Sequence, residues 1–234
     1  MAYQDKNLNY IDAEAYDKRG ESSVLENYVL ELWQPFLKEK IKKLSAGKTV
    51  VDWGCGTCEY ASAAAEAAAE KIYAVDDSEP MLKVCREKLA GFENKEIILG
   101  SGFHNGIPAG AADLVLTIGV WEYAEPRPLV GEIKRLTEKG AKIVVVFPNI
   151  YNKLNTERSI WRKKRIALRP GFIKNIFKND FTLVESASFG MVSWCPKKFQ
   201  SLILPLWKLG DFIWKPFQKF MPLGINVYYL FERK

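Results

Sequence analysis

One histidine, His104, stands among 234 residues, and the four cysteines supply no second pair to partner Cys55-x-x-Cys58. That scarcity argues against a centre built on imidazole and thiolate, so no metal is expected. Four cysteines are also too few for a disulfide scaffold in a chain of this length, and Cys55 and Cys58 fall inside a glycine turn, which speaks against a redox or zinc role. No uninterrupted apolar run reaches the ~20 residues that cross a bilayer as a helix. No apolar segment follows a basic start, as a secretory signal would require, so a cytoplasmic protein is expected.

What is present has the balance of a globular chain, with 48% apolar and 26% charged residues. One domain with insertions is expected over 1–234: a helical N-terminal cap (1–45), a core (46–150), a basic segment (151–180) and an amphipathic insertion (194–224). The net charge of +6 is unevenly spread. Residues 1–150 hold 18 Lys+Arg against 23 Asp+Glu, and residues 151–234 hold 16 against 5. A basic C-terminal third either meets something anionic, such as a phospholipid surface, a phosphorylated substrate or RNA, or is a solvated face.

The chain is organised around Thr49-Val50-Val51-Asp52-Trp53-Gly54-Cys55-Gly56. β-Branched residues run into an acid and then into two glycines, which reads as a strand turning sharply into a helix. Gly54 and Gly56 allow positive φ and close approach of a ligand, with Cys55 between them. The alanine-rich run Ala61 to Ala69 supplies the helix, whose N-terminal N–H groups point back at the turn. About twenty residues on, Lys71 to Asp76 is a second strand ending in an acid, where a carboxylate can hold ribose hydroxyls. Asp77 follows, and Ser78 and Pro80 open the next helix.

These residues resemble the class I S-adenosylmethionine-dependent methyltransferases, whose Asp-x-Gly-x-Gly motif matches Asp52 to Gly56 and whose strand-Asp-x-Ser-x-x-Met-Leu motif matches Val75 to Leu82. The resemblance runs from about Lys48 to Pro148 and returns near the C-terminus. It implies an α/β fold: a doubly wound, Rossmann-like, seven-stranded and mostly parallel sheet in the order 3-2-1-4-5-7-6. It also implies S-adenosyl-L-methionine as cofactor, held by Asp52, Gly54, Cys55, Gly56, Asp76 and Asp77. Two departures stand out. Ser101 occupies the place of the acid that usually meets the adenine amino group, backed by Gly102, and Cys58 replaces the usual third glycine. Gly119, ending the fourth strand, completes the expected set. From the N-terminal cap, which reads as helical over 5–45 with Pro35 near a kink, Tyr16 and Arg19 are candidates to meet the methionine carboxylate.

The remaining strands are read at Glu96–Leu99, Ala112–Gly119, Ala141–Phe147, Phe181–Ser186 and Asn226–Phe231, with a helix over about Pro128–Glu138 stopped by Gly140. Family members often carry a histidine where Tyr123 sits. Tyr123 is therefore the first candidate for base or orienter, ahead of Glu122, His104 and Tyr151. Arg158, Arg162, Lys163, Lys164, Arg165 and Arg169 cluster around Trp161. Phe199, Ile203, Leu206, Ile213, Phe217 and Phe220 recur at steps of three and four, with Trp207 and Trp214 beside them and Lys208, Asp211, Lys215 and Lys219 opposite. Pro205, Pro216 and Pro222 suggest two or three short helices. The apolar row is open to three uses: packing on the protein itself or walling the substrate pocket, lying in a membrane interface at the cytoplasmic face, or forming a dimer contact.

The resemblance, with these features, implies methyl transfer from S-adenosylmethionine to a small-molecule or lipid-like acceptor, with or without an anionic group. A nicotinamide dehydrogenase would want a third glycine at Glu59. An RNA methyltransferase or RNA-binding protein is the alternative suggested by the basic cluster, although no Asn-Pro-Pro-Tyr type motif follows the fourth strand.

Overall fold

The computed structural model describes residues 13–234 apart from 19–20, 22, 102, 104–105, 153–167 and 193–194. Arg19, Gly102, His104 and all of the basic cluster around Trp161 except Arg169 therefore lie outside the described residues.

The N-terminal part carries α1 (Ala13–Asp17) and α2 (Val24–Ser45). Ser23 caps α2 by accepting a hydrogen bond from the Glu26 N–H at 3.1 Å. Pro35 sits inside α2 and does not end it; of the kink or boundary expected there, the boundary is absent. The carbonyl that loses its partner belongs to Glu31, an exposed residue within reach of water, while Leu25, Tyr28, Val29, Leu37 and Ile41 bury one face of the helix.

A Rossmann-like alternation follows: β1 (Thr49–Trp53), α3 (Glu59–Glu66), β2 (Lys71–Asp76), α4 (Glu79–Lys88), β3 (Lys95–Leu99), β4 (Ala112–Ile118), α5 (Pro126–Leu136) and β5 (Thr137–Pro148). Then come α6 (Pro170–Phe177), β6 (Phe181–Phe189), a 3-10 turn (Lys197–Phe199), α7 (Gln200–Trp214) and β7 (Asn226–Arg233). The seven strands lie in the order β3-β2-β1-β4-β5-β7-β6. All pairs are parallel except those of β7, which runs antiparallel to both β5 and β6.

Both faces of the sheet are covered, which is why the central strands are almost wholly apolar. Successive side chains alternate between the two layers. Val50, Leu114, Leu116, Val144 and Val146 pack with α2, α3 and α4. Val51, Val115, Ile143, Val145 and Phe147 pack with α5 and α6. The same alternation puts Asp52 on the α3 side and Trp53 on the other.

The α5–β5 boundary differs from the sequence reading. Helix α5 starts at Pro126 and ends at Leu136, and the strand begins at once. Thr137 pairs with Ala112, and the register then shifts so that Leu114 pairs with Lys142. Gly140, with φ of +88°, lies within that irregularity; its left-handed backbone serves a bulged strand and not a helix stop.

The insertion also departs from expectation. Pro205 is tolerated within a continuous fifteen-residue α7. It falls in the second turn, where one carbonyl, that of the exposed Ser201, loses its bond. Trp207 is buried and stacks on Tyr28 of α2 with ring centroids 6.4 Å apart. Ile203 and Leu204 pack on the same cluster as Leu25, Val29 and Ile225. Asp211 turns inward too, accepting hydrogen bonds from the Tyr28 hydroxyl and the Met191 N–H, each at 2.7 Å. The expected apolar row is thus split between two faces: Ile203 faces inward, while Leu206, Ile213, Phe217 and Phe220 are exposed.

Candidate functional site

Four strand ends converge at the C-terminal edge of the parallel sheet, where ligands of open α/β folds bind. Asp52 lies in the last two residues of β1, and Gly54, Cys55 and Gly56 follow that strand; Asp76 ends β2 and Asp77 follows it, Ser101 follows β3 and Gly119 follows β4. The bend after β1 is tied to the end of β2, since the N–H groups of Gly54 and Cys55 both donate to the Val75 carbonyl, at 2.7 and 3.0 Å. Gly54 has φ of +70° and Gly56 of +53°, the left-handed region that disfavours a side chain. A Cβ at Gly54 would lie 2.5 Å from Val120 Cγ2, so the turn after β4 closes directly on the bend.

The two acids hold this bend. Asp52 is buried, and its Oδ2 accepts a hydrogen bond from the Ala61 N–H at 3.1 Å, in the first turn of α3. A carboxylate there complements the helix dipole. Burial nevertheless pushes its pKa up to about 7, with the neighbouring Asp76 adding to the rise and the Ala61 N–H opposing it. Asp76 accepts from the Gly56 N–H at 2.8 Å through Oδ2 and from the Ser78 N–H at 2.9 Å through Oδ1. Its pKa is also raised, mainly by burial. Ser78 opens α4 as expected, but its side chain makes no capping bond.

Helix α1 lies against the same bend. The Tyr16 ring comes within 3.9 Å of where a Gly56 Cβ would stand. Thr57 Oγ1 donates to Asp17 Oδ1 at 2.7 Å, and Lys88 Nζ, from α4, bonds the same oxygen at 2.5 Å and Glu59 Oε2 at 3.2 Å. Sequence reasoning picked out Tyr16 and missed Asp17 and Thr57, which no spacing signals because they meet only in the fold. On the far side, Trp53 and Phe103 meet edge to face at 5.4 Å. Gly119 has open space where its side chain would stand. Tyr123 lies in the turn after β4, half-buried, its N–H donating to the Val120 carbonyl at 2.9 Å. Asp77, Ser101 and Tyr151 are exposed.

Cys58, standing where a third glycine is usual, adopts φ of +60° at the N-terminus of α3 and forms a disulfide with Cys85 of α4. The sequence reading did not pair these two cysteines. Cys55 lies beside them, the three sulfur atoms within 4.8 Å of one another, and burial raises its thiol pKa. With Cys58 and Cys85 joined to each other, only Cys55 of the three keeps a thiol.

A glycine bend with two left-handed residues and two acids at neighbouring strand ends fits a nucleoside-bearing ligand. Asp76 keeps acceptor capacity beyond its two backbone bonds, because a carboxylate offers about four lone-pair positions. This sheet order with an antiparallel β7 is that of the Rossmann-like methyltransferase fold.

Residues 51–145 match the family model described as a methyltransferase domain. A demethylmenaquinone methyltransferase of Clavibacter sepedonicus is 29% identical over 116 residues, covering 49% of this chain and 46% of the relative. The chain thus spans less than half the length of the curated relatives it matches. Among solved structures, a complex of the Haloferax volcanii Trm112 methyltransferase activator with a putative methyltransferase aligns at a TM-score of 0.65 and 14% identity, covering 96% of this chain and 97% of the other. An S-adenosylmethionine-dependent methyltransferase of Aquifex aeolicus aligns at 0.58 and 17%, covering 87% and 91%. At such identities these structures bear on the fold alone.

Proposed function

We propose that the chain transfers a methyl group from S-adenosyl-L-methionine to a small, lipid-like acceptor. The observation that carries this reading is the bend at Gly54–Gly56, bonded to Asp76 and overlain by Tyr16. When bound, the cofactor supplies an electrophilic methyl carbon on a sulfonium. In this reading Asp76 accepts from the ribose hydroxyls with the lone pairs left by Gly56 and Ser78. Asp52 keeps the first turn of α3 seated behind the bend, and Tyr16 shields one side of the site. Ser101 accepts from the adenine amino group more weakly than an acid would.

Direct displacement needs the acceptor, carbon and leaving sulfur nearly in line, so positioning alone supplies much of the acceleration. A hydroxyl or carbon acid also needs a base. Tyr123 is our candidate for orienting the acceptor, since it follows β4 on the same edge of the sheet as the bend. The curated relatives, by their printed name, act on demethylmenaquinone, which favours an apolar acceptor for this chain.

The test incubates purified protein with methyl-labelled S-adenosylmethionine and, separately, demethylmenaquinone, a total lipid extract, a soluble metabolite extract and RNA. Label entering a lipid-soluble product is expected. Label entering RNA alone would replace this reading with the alternative, and calorimetry showing affinity for neither the cofactor nor its demethylated product would overturn both.

A further inference from the structure

Helix α7 is apolar on both sides, and only one side is covered. A period of 3.6 residues puts Gln200, Ile203, Trp207 and Asp211 on the inner face. Leu202, Leu206, Leu209, Phe212 and Ile213 fall on the opposite side, each more than half exposed, with Phe212 at 75%. The face continues beyond the helix through Phe217 and Phe220, the latter 82% exposed. Scattered exposed apolar residues are ordinary, but a contiguous face of this extent marks a binding surface.

The charges beside it indicate the partner. Lys198, Lys208, Lys215 and Lys219 are all exposed around this face. The only acid between Phe189 and Phe231 is Asp211, and both its carboxylate oxygens are engaged inward, by Tyr28 and by the Met191 N–H. A second copy docked symmetrically here would bring the two lysine sets together, and Asp211, the one acid of residues 190–230, is engaged elsewhere. A surface that is both apolar and anionic suits the patch on both counts.

We infer that the outer face of α7 and the turn after it dock on the surface of an anionic phospholipid bilayer. The inner face anchors the helix to the protein through Trp207 and Asp211. The outer face enters the acyl boundary, and the lysines meet the headgroups. Among the described residues no helix is long and apolar enough to cross a membrane, so the attachment is peripheral. The inference stands apart from the methyl-transfer reading, because it uses none of the residues at the glycine bend.

The test is flotation of the full chain with vesicles of phosphatidylcholine alone and of phosphatidylcholine with a quarter phosphatidylglycerol. Partition onto the anionic vesicles is expected, weakened at least tenfold by Phe212→Glu. Each Lys→Gln change at 208, 215 or 219 should weaken it by about fivefold. Thermal melting of each variant, and calorimetry with the demethylated cofactor product on the same preparations, report separately on folding and on the methyl-transfer site. Equal partition of the intact chain and Phe212→Glu, failure of the intact chain to float, or equal binding to neutral vesicles would overturn the inference. So would a concentration-dependent dimer in sedimentation that Phe212→Glu abolishes, since the face would then belong to a second copy.

Discussion

Asp76 and Gly56 are joined by a 2.8 Å hydrogen bond from the glycine N–H to Oδ2 of the acid. An acid that sequence reasoning reserved for a ligand thus also shapes the loop on which that ligand would rest. The loop takes only some of the carboxylate's lone pairs, which leaves acceptor capacity for a ligand.

Asp76→Ala removes both the loop's acceptor and the expected ribose contact. Hydrogen bonds to a charged group are worth roughly 1.5 to 3 kcal/mol, so affinity for S-adenosylhomocysteine should fall by about tenfold to a hundredfold. Calorimetry checks this. Asp76→Glu, which keeps the charge but not the reach, should recover little of the loss.

Asp52 makes stability depend on pH. Its folded-state pKa of about 7 lies above the ordinary carboxylate value of 3.8, so the folded chain binds more protons than the unfolded one between those values. Its contribution is therefore greatest below pH ~4 and is lost as pH rises toward 7, an effect on the order of a few kcal/mol. Asp52→Asn keeps an acceptor for the Ala61 N–H and removes the titration. Denaturant unfolding from pH 4 to 8 should show a falling stability for the native chain that is flatter in the variant, and Asp76, raised in the same direction, contributes the residual slope.

The Cys58–Cys85 bridge closes a segment with a sequence separation of 27, which by loop-closure entropy is worth about 3 to 4 kcal/mol. Cys85→Ser, or reduction, should lower the melting temperature. Thiol titration of the unfolded, unreduced chain should count the two free cysteines, Cys55 and Cys195, and all four only after reduction. Four thiols before reduction would exclude the bridge.

Local signals carried most of the core. Strand β2 runs over Lys71–Asp76 as its apolar pattern indicates, and the bend after β1 carries positive φ at both glycines. The strand order came from family resemblance, since periodicity does not say which strands are neighbours. Where one residue served two structural ends, local rules misled. Gly140 reads as a helix stop and is a bulge residue; Pro205 reads as a breaker and falls where the lost bond faces solvent. Asp211 reads as part of a solvated face, and its distant partners Tyr28 and Met191 turn it inward. The contacts Thr57–Asp17 and Cys58–Cys85 join positions far apart in the chain, and nothing in their neighbourhoods announces them.

Helix α2 bears on two distant matters at once. Its Tyr28 stacks on Trp207 of α7, and little more than one turn later its Trp33 meets Tyr60 of α3, the helix seated behind the glycine bend. Pro35 leaves the Glu31 carbonyl unbonded between these two contacts, so the link between them is one helix with a weakened turn in it. A displacement of α7 would therefore reach the backing of the glycine bend through α2, with its proline turn taking up part of the movement.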